Sequence, residues 1–130
     1  MNAPSEDIKD MLIAESSLGL IFAENLFTGR VVSKPKEIVT ILDSYGFPSK
    51  LALKNQGYEY PSVQIRVRNS NYLDGWDMIE KIKDSLHGRA QETWNGTLYS
   101  AVYCFISPTF LRWDENNRAQ FVTTFNINRR

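Results

Sequence analysis

The sequence predicts an α+β domain: one mostly antiparallel sheet, an amphipathic helix packed on one of its faces, and a short helix at the N-terminus. Three observations carry that expectation. In the stretch YPSVQIRVRN, residues 60–69, Val63, Ile65 and Val67 alternate with Gln64, Arg66 and Arg68, the period of a strand with one apolar and one cationic face. Further on, Tyr72, Leu73, Trp76, Ile79, Ile82 and Leu86 recur at spacings of three and four, the stripe of a helix that buries one side. Finally, the order helix, strands, helix, strands runs through 130 residues, a length that buries roughly two thirds of its unfolded surface without metal or disulfide. One domain spanning residues 1–130 is the expectation.

Taken in order, Ser5 with Glu6 and Asp7 behind it reads as an N-cap followed by acids in the first turn, and Ile8, Met11 and Leu12 share a face. That helix should end near SSLG. LGLIFAENLF holds enough Leu, Ile and Phe for a strand, and Thr28 with Gly29 turns the chain. In the segment that follows, Ile38, Val39, Ile41 and Leu42 make both faces apolar, as for a strand inside a sheet, and DSYGFPS should end it. A short strand at Lys50 to Leu53 precedes the alternating one. Asn71 caps the main helix, with Asp74 at its third position, and Gly88 closes it. TLYSAVYCFIS is apolar on both faces and belongs at the sheet centre, with Pro108 as its stop. The last piece reads as a hairpin that turns at Asp114 to Asn117 and returns with Phe121, Thr123, Phe125 and Ile127 on one face.

Composition narrows the function. Lys plus Arg and Asp plus Glu both total 15, so the formal net charge is zero, which argues against a protein that coats duplex nucleic acid or anionic membrane. The one cysteine, Cys104, sits in an apolar run and reads as an inert thiol. No basic leader with an apolar core opens the chain, and no run approaches the roughly 20 apolar residues of a membrane span. The protein is expected in the cytosol at synthesis.

Signals for catalysis are missing. His87 is the one histidine, and its place in the last turn of the main helix fits a capping role better than that of a general base. One His and one Cys do not make a metal site, the glycines form no phosphate-cradling motif, and DEN at 114–116 reads as a solvated turn. The sequence therefore points to no catalytic residue, no metal and no cofactor. Single-stranded nucleic acid needs cations interleaved with stacking rings; Arg66 and Arg68 supply charge and Tyr58, Tyr60 and Trp94 could supply rings, but these aromatics do not interleave with the arginines on the same strand face. The cationic face could equally meet solvent, an anion or a neighbouring subunit.

From Pro35 to the C-terminus the chain resembles a family. PKEIVTILDSYGFP, then YEYPSVQIRVRNSNYLDGWDMIEKIKDSLHG, then WDENNRAQFVTTFNINRR resemble, in order and spacing, the small bacteriophage minor capsid proteins that are similar to tail terminators of long-tailed phages. Val63 to Arg68, Tyr72, Leu86, Gly88, Asp114, Glu115, Arg118, Phe121 and Phe125 match that pattern. Three positions depart from it: Phe47, Asn69 and Asn117 stand where glycines are usual, and asparagine tolerates the left-handed backbone that the last two would need.

The resemblance implies a structural virion protein at the head–tail junction, assembled in the host cytoplasm. It would cap the tail tube and then join tail to head as a homo-oligomeric ring, commonly of six copies. Its partners would be its own copies, the tail tube protein and a head completion or connector protein, with genomic DNA passing through the lumen unbound and no membrane involved. Arg66 and Arg68 would then face a neighbouring subunit or the tube. Trp94, Phe110 and Trp113, read as lying in or beside loops, are the aromatic interface candidates, and Arg129 with Arg130 would form a flexible cationic end that meets a partner's acids. On this reading, reversing Arg66 and Arg68 to Glu spares the fold. The rivals are a head completion protein on the capsid side and a single-stranded nucleic-acid binding module.

Overall fold

The computed structural model describes residues 1–47 and 57–130. Helix α1 (Pro4–Ala14) leads through a single 3-10 turn (Ser16–Leu18) to the short strand β1 (Leu26–Thr28), then β2 (Ile38–Phe47), β3 (Tyr60–Asn69), helix α2 (Tyr72–Leu86), β4 (Glu92–Trp94), β5 (Thr97–Trp113) and β6 (Ala119–Arg129). The strands form one sheet in the order β1-β2-β3-β6-β5-β4, with β1 parallel to β2 and every other neighbour antiparallel. This is the expected α+β architecture with a mixed sheet. Both helices lie on one face, where Ile8, Met11 and Leu12 of α1 and Ile79, Ile82 and Leu86 of α2 join Ile65, Val67, Phe121 and Phe125 in one core.

The strongest sequence patterns give the elements they predict. β3 occupies residues 60–69 with Val63, Ile65 and Val67 buried. At the start of α2 the Asp74 N–H donates to the Asn71 side chain at 3.1 Å, as the cap requires. The reciprocal bond is made by Asn69 rather than Asp74: its side-chain oxygen accepts the Asn71 N–H at 2.9 Å. Asn69 thus stays in the strand, without left-handed backbone, whereas Asn117 takes φ 58° in the hairpin turn as its glycine-like position demands. Past α2, Gly88 at φ 88° redirects the chain.

Elsewhere tertiary contacts override local signals. Ser5 does not cap α1: Ala3 holds that place, Pro4 opens the helix, and the Ser5 N–H and hydroxyl both donate to the Asp43 carboxylate, at 2.9 and 2.8 Å. A carboxylate from β2 thus satisfies a first-turn donor and meets the positive end of the helix dipole. Asp43 also belongs to a strand that runs on to Phe47, through the stretch expected to stop it. The strand expected over LGLIFAENLF shrinks to Leu26–Thr28, because Asn25 folds residues 19–25 into a turn by accepting from Ile21 N and donating to Gly19 O. The strand expected at 50–53 lies outside the described residues.

β5 departs furthest from expectation. It lies next to the sheet's end, with β3 and β6 at the centre, and it continues past Pro108 to Trp113. Proline is accommodated because the pairing with β6 is irregular between Ile106 and Thr109, so no regular ladder bond is lost.

Close packing of α2 on the sheet depends on Gly75. A Cβ there would sit 2.6 Å from the Phe121 ring, which is itself held edge-on by Tyr72, Trp76 and Phe110. Alanine would favour the helix by about 1 kcal/mol, but overpacking a fixed ring costs about 1–3 kcal/mol. Gly75→Ala should therefore lower the free energy of unfolding, by about 1 kcal/mol net, in urea titrations; an unchanged or raised midpoint would contradict the packing argument.

Candidate functional site

The residues marked out by the sequence fall into three places. Arg66 is half-buried on the helix-free face of the sheet, where its Nε donates to Gln64 at 2.9 Å. Arg68, two residues on, is buried, so it does not stand on the surface where the resemblance would have it meet a neighbouring subunit or the tube. Its guanidinium donates to the main-chain oxygens of Val32 (2.7 Å), Pro35 (2.7 Å) and Lys36 (3.3 Å). Beside it, Arg118 donates to Ser33 O at 2.7 Å and to the Asp114 carboxylate at 2.6 Å.

Together the two arginines occupy four carbonyls of a segment that has no secondary structure of its own. Residues 29–37, the connection between β1 and β2, are held against the end of the sheet with Arg30, Lys34 and Lys36 outward and unpaired among the described residues. Burial, then the Arg118 charge, pulls the Arg68 guanidinium below its ordinary basicity, while Asp114 opposes them; it stays cationic. Burial alone would raise the Asp114 carboxyl, but hydrogen bonds from the Arg118 main chain and guanidinium and from Asn116 N–H outweigh it and hold the group below the usual carboxylate range.

At the opposite end of the sheet lies a second buried polar cluster. Arg129, expected in a flexible tail, instead finishes β6 and is buried: it pairs with Glu59 at 3.1 Å and donates to Asn2 O at 2.9 Å and the Tyr99 hydroxyl at 3.3 Å. The Tyr99 hydroxyl donates to Asp7, which has no solvent contact and also accepts from Asn95 (2.7 Å) and Asn2 (3.1 Å). Burial, together with the Asp7 carboxylate, pushes the Tyr99 phenol above its ordinary range. Arg130 is no loose end either, since its main chain pairs with Leu98 and its guanidinium lies 5.2 Å from the Tyr58 ring centre. Asp7 and Tyr99 went unremarked in the sequence; an acid one position before Ile8 and four before Met11, on the buried side of a helix, was the available signal.

The aromatic candidates are on strands. Trp94, in β4, is half-buried with its indole N–H on Glu92 at 2.9 Å. Phe110 and Trp113, in the last part of β5, form a cluster with Tyr72 and Phe121 at ring separations of 5.1–6.2 Å. Phe110 fills the middle of the cluster and Trp113 remains half exposed. His87 occupies the C-cap position just past Leu86 rather than the last turn, and its Nδ1 accepts the Cys104 N–H at 2.9 Å, tying the helix to β5.

Among the described residues no group of three or more His, Cys, Asp or Glu could hold a metal. A recess of about 370 Å³ on the helix-free face is lined by Ser44, Gly46, Ser62, Phe105, Ile106, Thr124 and Asn126, with no ionisable side chain. Arg66 and the aromatic cluster of Tyr72, Phe110, Trp113 and Phe121 stand on opposite faces of the sheet. No described helix is long and apolar enough to cross a membrane.

The family model for bacteriophage tail terminator proteins matches residues 6–130. The chain belongs to this family. Membership makes it a structural phage protein with a role in tail completion, a component of the virion. Among solved structures it is similar in fold to a chain from the virion of a native gene transfer agent particle, with a TM-score of 0.72 at 13% identity over 97% of this chain and 93% of that one. None of the curated proteins compared matches it.

Two outcomes follow from this geometry. Arg68→Glu would set a carboxylate against three carbonyl oxygens and should destabilise by about 3 kcal/mol or more, while Arg66→Glu should change stability by about 0.5 kcal/mol at most; thermal unfolding of the two variants compares them. Because the Asp114 carboxyl is depressed in the folded state, its contribution is complete above the unfolded value of about 3.9 and is lost as pH falls through the lower folded value. The stability advantage of the native chain over Asp114→Asn should therefore shrink from pH 7 towards pH 3, measured by urea unfolding at each pH.

Proposed function

We propose that this tail terminator caps the tail tube at its head-proximal end as a homo-oligomeric ring, six copies by analogy with similar proteins, and then joins the tail to the head. The observation that carries the reading is the family match across residues 6–130, nearly the whole chain. Residues 1–130 act as one domain, and the partners are further copies of the chain, the tail tube protein and a head completion or connector protein. Genomic DNA crosses the lumen without specific binding, assembly takes place in the host cytoplasm, and no catalysis is involved.

The contact surface is drawn from Arg66, Trp94, Phe110, Trp113 and Arg130. Arg68 and Arg129 act from behind it, through the segments they hold. Half-exposed Trp113 and its aromatic neighbours fit an interface core, where aromatics are enriched. Arg66 is offered to a carboxylate of a neighbour, a pairing that fixes register as well as adding affinity.

The test is tail assembly with and without the protein. Tubes formed in its absence should grow beyond normal length and fail to join heads, and adding the purified protein should restore both length and joining, seen by electron microscopy. Arg66→Glu, which keeps the fold, should restore neither. Normal, head-joined tails without the protein would refute the proposal.

A further inference from the structure

We infer that the two ends of the sheet are the two unlike halves of a single subunit contact, so that the β5 end of one copy docks on the β1 end of the next. The inference rests on the ring reading above and adds which surfaces meet. It begins with where apolar side chains remain exposed.

At the β5 end, Leu73, Trp76, Phe105, Ile106, Leu111 and Trp113 are between 37% and 73% exposed. They flank the strand on both faces of the sheet, Trp76 and Trp113 beside the aromatic cluster on the helix-bearing face and Phe105 and Ile106 in the recess on the other, and large apolar side chains left exposed together mark a contact site. The strand beneath is open as well: among the described residues, β4 covers β5 only as far as Tyr99, Arg89 bridges Val102, and His87 takes the Cys104 N–H. No described strand pairs with the outer side of β5 from Phe105 to Trp113. An uncovered edge carrying aliphatic and aromatic side chains is a template for another chain.

A smaller apolar patch marks the opposite end. Ile21 and Phe22 lie in the turn that enters β1, and Val31 in the segment that leaves it, each more than 40% exposed. β1 has three residues and its Leu26 oxygen already accepts from Ala23 N–H, so contact there is made by side chains rather than by extending the sheet.

Charge decides what the β5 end should meet. Around it the groups without an ion partner among the described residues are Asp74, Glu115 and Arg112, net acidic; around the β1 end they are Arg30, Lys34 and Lys36 against Glu24 and Glu37, net basic. Like ends repel and unlike ends attract. The basic side is also preformed, because Arg68 and Arg118 hold the main chain of residues 32–36 before any partner arrives. A contact between two different patches of the same molecule is head-to-tail, the kind that generates a closed ring when its rotation closes.

The test uses thiols placed on each end in a Cys104→Ser background, Leu111→Cys for the β5 end and Phe22→Cys for the β1 end, with Trp113→Cys and Ile21→Cys as a second pair should either variant melt below its parent. A short bis-maleimide is applied to each variant alone, to their mixture and to the double variant, in solution and on assembled tails, with ring formation followed in parallel by light scattering and electron microscopy. The mixture should give about tenfold more dimer than either single variant, with nothing larger, and the double variant should give a ladder that ends at the ring. A dimer from Leu111→Cys alone would mean a two-fold contact and overturn the inference. Rings that form without any of these cross-links would overturn it while sparing the ring reading; absence of rings on tails as well as in solution would remove both.

Discussion

Two guanidiniums set into one end of the sheet govern the path of the chain between its first two strands. Residues 29–37 have no ladder to satisfy their carbonyls, and carbonyls lying against a sheet are costly unless something donates to them. Arg68 and Arg118 do so for Val32, Ser33, Pro35 and Lys36. Lysine could not substitute, since one ammonium cannot reach along an extended main chain as a planar fork of five N–H groups does. Asp114 balances the pair and anchors it in the β5–β6 turn, where its carboxylate also accepts the N–H groups of Asn116 and Arg118. Loop, strand and hairpin therefore share one electrostatic knot.

The other end of the sheet is fastened by the same logic with different groups. Asp7 brings an acid onto the buried side of α1, and Tyr99, Asn95 and Asn2 surround it with donors, while Arg129 reaches Tyr99, Asn2 and Glu59. The first helix is in this way joined to the last strand, close to both termini. Each strand end is pinned by a polar cluster, while Leu111 and Trp113 near one edge strand and Ile21, Phe22 and Val31 near the other keep exposed apolar surface. Rigid ends and adhesive sides are the arrangement that lateral assembly needs.

What the sequence disclosed follows from the range of the forces involved. β3, α2 and the closing hairpin are patterned by short-range periodicity and turn chemistry, and they came out close to expectation. Arg68 was misread because a period of two assigns a face and says nothing about a loop folding back over it. Arg129 could have been read correctly: it continues the odd-numbered row of Phe121, Phe125 and Ile127, all buried, so an arginine there had to be buried and partnered. Ser5 and Asp43 failed as local signals because they satisfy one another across 38 residues. β5 looked central since its middle is apolar on both faces, yet that surplus of apolar side chains is what a docking edge also requires.

The same contrast explains how a family can be legible while the site is not. Gly75, Asn71 and the Asp114–Arg118 turn are fixed by backbone geometry and packing within the chain, constraints that any sequence adopting this fold must meet somehow. A fold shared at 13% identity with a virion chain shows how loosely the remaining positions are bound by the architecture. Interface side chains answer to a partner's surface, which the chain's own pattern does not encode. They become visible only once the fold shows which apolar side chains stay exposed among the described residues: Trp113, Leu111, Ile106 and Phe105 sit on the part of β5 whose outer side no described strand pairs with. In the proposed ring the next copy would cover that edge.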